Sequence, residues 1–103
     1  MNPSTIWHKT CTIDDVNRIL LSVDLCKQLK WEAGTTLTVF VNLRNKHMEF
    51  LKQDGGHFTL DSHYRVKLTE DLRVSMGWDT GDKLLVKLNP DAAGISLSLQ
   101  SRG

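Results

Sequence analysis

Thr12-Ile13-Asp14-Asp15-Val16-Asn17-Arg18-Ile19-Leu20-Leu21 returns 47 residues later as Thr59-Leu60-Asp61-Ser62-His63-Tyr64-Arg65-Val66-Lys67-Leu68. Each copy reads Thr-apolar-Asp, three variable residues, then Arg and an apolar run. The correspondence runs on past the motif. Ser22-Val23-Asp24-Leu25 sits opposite Thr69-Glu70-Asp71-Leu72, Trp31-Glu32-Ala33-Gly34 opposite Trp78-Asp79-Thr80-Gly81, and Leu37-Thr38-Val39 opposite Leu84-Leu85-Val86. Ten of the thirty pairs formed by residues 12–41 and 59–88 are identical, where chance gives roughly two. The chain reads as a tandem duplication, with repeat one over about residues 7–53 and repeat two over about residues 57–100.

Within each unit the periodicity changes in a regular order. Residues 7–13 alternate weakly, with Lys9 out of pattern, and predict a first strand. His57-Phe58-Thr59-Leu60 alternates more cleanly after the turn signal Asp54-Gly55-Gly56. Beyond the Asp-x-x-x-Arg turn, Ile19 and Leu21 share one strand face, as do Val66 and Leu68. Ser22 and Thr69 then stand as N-caps with an acid in the following turn, so short helices are expected over residues 23–30 and 70–76. Leu25 with Leu29, and Leu72 with Met76, fall on one helical face. Gly77 suits a left-handed C-cap, whereas Lys30 at the equivalent position does not. The third strands put Leu37, Val39, Val41 and Leu43 on one face, and Leu84, Val86 and Leu88 likewise. Polar turns follow at residues 44–47 and 89–94, then strands with Met48 and Phe50, and Ile95, Leu97 and Leu99, inward. Residues 100–103 read as a polar tail.

The composition sets limits. A chain of 103 residues supports one domain, spanning residues 1–103, and two half-length units would have to share its core. No apolar run approaches the roughly 20 residues needed to span a bilayer, and the N-terminus carries no secretion signal pattern, so a cytoplasmic protein with no membrane partner is expected. Cys11 and Cys26 read as reduced core thiols, with Phe58 and Arg73 as their counterparts. His8, His47, His57 and His63 show no metal-ligand spacing, and no metal or other cofactor is expected. No phosphate loop or nucleophile constellation is present, and each duplicated carboxylate comes with an Arg that would hold it ionised, so the chain is not expected to be an enzyme. With a formal net charge of +1, any nucleic-acid binding must come from a local basic face.

Asp-x-x-x-Arg, an alternating strand, a capped short helix with Leu at its third position, then apolar-x-aromatic-x-x-Gly and a hairpin resembles the AbrB/MazE/MraZ (SpoVT-AbrB) swapped-hairpin module. Two copies, Asp14/Arg18 and Asp61/Arg65, look most like MraZ. The resemblance covers roughly residues 11–53 and 58–100. It implies a mainly β fold with short helices, in which two tandem ββαββ repeats interleave as an intrachain pseudo-dimer to form a swapped-hairpin β-barrel. It also implies a prokaryotic, nucleoid-associated or phage-encoded transcriptional regulator that binds double-stranded DNA. Arg18 and Arg65 would then contact DNA, Asp14 and Asp61 would brace the turns, and Lys9, Lys27, Lys67 and Arg73 would contact phosphate. Asn17 and Tyr64 stand where the family usually has Gly, and because Tyr resists a left-handed backbone the second turn is expected to differ in shape. Two other readings remain open: a MazE-like antitoxin module, for which the tail after Leu99 is short to wrap a toxin, and a protein-interaction barrel without DNA binding. A homo-oligomer is compatible with each.

Overall fold

The computed structural model describes residues 8–89 and 94–101. Chain order is β1 (His8–Thr12), β2 (Arg18–Leu20), α1 (Val23–Leu29), β3 (Thr36–Asn42), β4 (His47–Lys52), β5 (Phe58–Thr59), β6 (Arg65–Lys67), α2 (Glu70–Met76), β7 (Lys83–Leu88) and β8 (Gly94–Ser101). The expected strand start at Trp7, residues 90–93 of the second turn and residues 102–103 of the tail fall outside the described residues. Among the described residues no helix is long and apolar enough to cross a membrane.

The helices begin where the hydroxyls predict. Ser22 and Thr69 hold extended backbone angles, and their Oγ atoms accept from the N–H of Leu25 at 3.3 Å and of Leu72 at 3.1 Å. One donor left without an intrahelical partner is thereby satisfied at each start. Both helices end in a left-handed residue, Gly77 at φ 71° and Lys30 at φ 60°. Lys30 thus adopts the cap that its side chain disfavours. Its N–H reaches back to Lys27, Trp31 N–H bonds to Cys26 O at 2.8 Å, and the Trp31 indole is buried. Burying that indole outweighs the roughly 1–2 kcal/mol cost of one left-handed residue.

Pairing joins the two halves of the chain. The six-stranded sheet runs β1-β7-β8-β4-β3-β5 and curls over the core, and β2 and β6 form a separate antiparallel ribbon. Strand β1 lies on β7, with Cys11 opposite Leu84; β5 lies on β3, with Leu37 opposite Phe58; β4 and β8 join at Met48–Leu97 and Phe50–Ile95. Loop hydrogen bonds repeat the exchange: Gly81 N–H donates to Ile13 O and Gly34 N–H to Leu60 O, each at 2.8 Å. The inward residues of all these elements make one buried cluster, with Ile13, Ile19, Leu25, Phe50, Leu60, Val66 and Trp78 among them. Its polar complement is spare, since no polar or charged residue is buried among the described residues.

Two expectations need correction. Val41 and Leu43 are exposed, at 39 % and 52 %, although Leu37 is fully buried on the same face. The hairpin of β3 and β4 runs past the end of the core, and β5 covers only Thr36 and Leu37 of β3. That shortness comes from the chain path. After β4 the chain turns at residues 53–56 and crosses close to β3, where a Cβ on Gly56 would collide with the Leu37 carbonyl. Finally, Gln100 and Ser101 belong to β8, not to a tail, because Ser101 faces Lys83 of β7.

Candidate nucleic-acid interface

Asp14 organises the first turn. Its Oδ1 accepts from the N–H of Val16 at 2.9 Å and of Arg18 at 2.8 Å, and its Oδ2 accepts from Arg18 Nε at 3.0 Å. Asp61 does the same for His63 N–H at 2.8 Å, Arg65 N–H at 2.9 Å and Arg65 Nε at 3.2 Å. An Asp in this position satisfies the turn's donors and holds a guanidinium by one edge. Partial desolvation works against ionisation of both carboxyls, but the backbone hydrogen bonds and the adjacent Arg outweigh it. Both are held below the ordinary carboxylate value of 3.8.

The two turns have one shape. Asn17 has φ 65° and Tyr64 φ 63°, so the expectation of a different second turn is corrected. Tyr64 is held left-handed by its surroundings. Its N–H donates to Asp61 O at 3.0 Å, its carbonyl accepts from Leu21 N–H at 2.8 Å, and its half-buried ring packs on the core. Leu68 N–H makes the equivalent bond to Asn17 O at 2.8 Å. These bonds extend the ribbon, in which Arg18 faces Lys67, Ile19 faces Val66 and Leu20 faces Arg65. Alternation then sorts the side chains: Ile19 and Val66 are fully buried, and Arg18, Leu20, Arg65 and Lys67 share the outer face. Three of those four positions carry cations, two of them paired with Asp14 and Asp61.

The remaining predicted residues scatter. Lys9, on β1, lines a narrow crevice with Leu20, Leu21, Leu25 and Val86, which brings it beside the ribbon. Lys67 borders a cleft of about 300 Å³ shared with His57, Phe58, Thr59 and Thr69. Lys27 is exposed on α1. Arg73 is drawn toward the helix exit. Its side chain is 17 % exposed, its Nη1 donates to Trp78 O at 2.6 Å, and Asp79 lies 3.7 Å away, so it secures the helix exit. Arg73 Nε and Trp78 Nε1 are buried there without hydrogen-bond partners. In the turn at residues 44–47, Lys46 Nζ donates to Ser75 O at 3.2 Å. Cys11 and Cys26 are buried free thiols whose pKa values burial pushes up to about 12 and about 11, so both stay protonated and unreactive.

Two residues of this surface escaped the sequence reading. Leu20 is 57 % exposed on the ribbon's outer face. The signal was present, because Ile19 and Leu21 inward require Leu20 outward. His57 beside Lys67 had no sequence signal, since only folding closes the cleft between β5 and β6. Compared with known proteins, the chain matches no family model and no curated protein.

Proposed function

We propose that this chain is a duplex-DNA-binding regulator built as a swapped-hairpin barrel of the SpoVT-AbrB type. The observation that carries the reading is the ribbon of β2 and β6, with Arg18 and Arg65 each oriented by its own carboxylate on one outer face. A two-stranded β-ribbon fits the major groove of B-DNA. Arg18 and Arg65 are diagonal neighbours in the ribbon, about 7–8 Å apart at the backbone. That distance is about two base-pair steps. The Asp14 and Asp61 contacts engage Nε, which leaves the Nη edge of each guanidinium outside the brace. Bidentate donation from that edge to guanine O6 and N7 supplies about 1–3 kcal/mol of discrimination. Lys67 on the ribbon, Lys9 beside it and exposed Lys27 on α1 would supply phosphate contacts. In this reading the protein is a cytoplasmic binder without catalysis.

A specific observation favours a second reading, a protein-interaction barrel. Val16, Leu20 and Val23 are exposed near the first turn, and each Arg carries a counterion. One experiment separates the two. Fluorescence anisotropy with a mixed-sequence duplex at two salt concentrations compares wild type with a folded Arg18→Ala/Arg65→Ala variant. Wild-type binding should weaken with salt at about 0.9 per phosphate contact on a log–log plot and be lost in the variant. Wild type that ignores DNA at low salt, or a variant that binds as well, refutes the DNA reading.

A further inference from the structure

The ribbon is nearly two-fold in backbone but not in side chains. Its centre is the Ile19–Val66 pair, and Arg18 and Arg65 are related across it, each with the same carboxylate brace. The other two outward positions differ: Lys67 faces Arg18, whereas Leu20 faces Arg65. The difference continues into the flanks. Exposed Val16 and Val23 in the first half correspond to His63 and Glu70 in the second, which are exposed and polar. Thr10 and Leu20 line the crevice of one half where His57 and Lys67 line the cleft of the other.

Resting on the DNA-binding reading, we infer that the ribbon reads a non-palindromic duplex site, with a thymine recognised by Leu20 beside the base read by Arg65. Leu20 sits directly across the ribbon from Arg65, and such cross-strand pairs have Cβ atoms about 4.5–5.5 Å apart. Two side chains at that spacing meet neighbouring base pairs. The apolar feature of the major-groove edge is the thymine C5-methyl group, which aliphatic side chains contact. Leu20 is 57 % exposed, so it is open to such a contact, and it also lines the crevice with Leu25 and Val86. In the other half a cation occupies the equivalent place, and Lys67 there serves a guanine edge or a phosphate. Two identical braced arginines with unlike neighbours thus demand a site whose halves share a guanine and differ beside it.

The test begins with duplexes that wild-type protein selects from a random pool. Each thymine in the selected site is then replaced by deoxyuridine, which lacks only the methyl group. The expected site is non-palindromic, and one replacement, adjacent to a guanine in one half, weakens binding by roughly three- to tenfold, the scale of one buried methyl group. Leu20→Ala, checked for folding by circular dichroism, should be indifferent to that replacement. Leu20→Lys, which makes the two ribbon ends alike, should shift selection toward palindromes. A palindromic wild-type site, or a deoxyuridine effect that persists in Leu20→Ala, overturns the inference and leaves the DNA reading standing. A pool from which nothing is enriched also overturns the inference, while the DNA reading itself stands or falls on the anisotropy measurement.

Discussion

Asp14 and Asp61 each collect two backbone donors and an Arg Nε, so a single carboxylate sets the turn and aims the cation. Their pKa values lie below the ordinary 3.8, so the folded chain binds these two protons less readily than the unfolded one. The stability they contribute is therefore complete above the unfolded carboxyl range and is lost as pH falls through the folded values. Urea midpoints measured from neutral pH into acid should fall at the acid end for wild type. In Asp14→Asn/Asp61→Asn that acid decline should be shallower, from a lower neutral-pH midpoint. A decline of equal depth in the variant assigns acid sensitivity to other groups. Lys30 offers the opposite case, an exposed side chain held left-handed at φ 60° outside the proposed site. Lys30→Gly should stabilise by about 1 kcal/mol. In a thermal melt that is an increase in Tm of about 5 °C. The sequence made Gly77 legible as a cap and Lys30 and Tyr64 illegible, because a left-handed residue without glycine is paid for by contacts distant in the chain.

At the scale of elements, the two short helices depend on one hydroxyl and one apolar face each. A seven-residue helix is too short to persist by propensity. The cap decides where α1 starts, and burial of Leu25, Cys26 and Leu29 decides that it exists. Ser22→Ala should cost about 1 kcal/mol. Leu25→Ala, at 1 % exposure, should cost about 2–5 kcal/mol and leave little folded protein. Chemical denaturation of the two variants checks the ranking, and equal losses would refute it. Strand existence was legible from alternation, but strand length was not. The pattern that put Val41 and Leu43 inward continued in sequence beyond the point where the core ends, because alternation reports a face and not what covers it.

For the molecule as a whole, the decisive feature is that the pairings cross between the halves. β1 needs β7, β5 needs β3, and β2 needs β6. Residues 1–54 and 55–103 made as separate fragments should each lack a folded strand signal in circular dichroism, and mixing them should restore it. A fragment that folds alone would show that each half completes its own core. The same crossing creates the candidate site, since neither β2 nor β6 presents the outer face by itself.

The sequence by itself determined the β-rich class, the two-fold recurrence, both helix starts and the braced Arg turns. Those follow from short-range chemistry: periodicity, a hydroxyl three residues from an N–H, a carboxylate four residues from a guanidinium. Only the tertiary structure decided that Arg18 and Lys67 share a face, that Leu20 stands exposed beside Arg65, and that Arg73 turns inward to Trp78. These depend on antiparallel register between segments about fifty residues apart, and register is set by which faces find a common core.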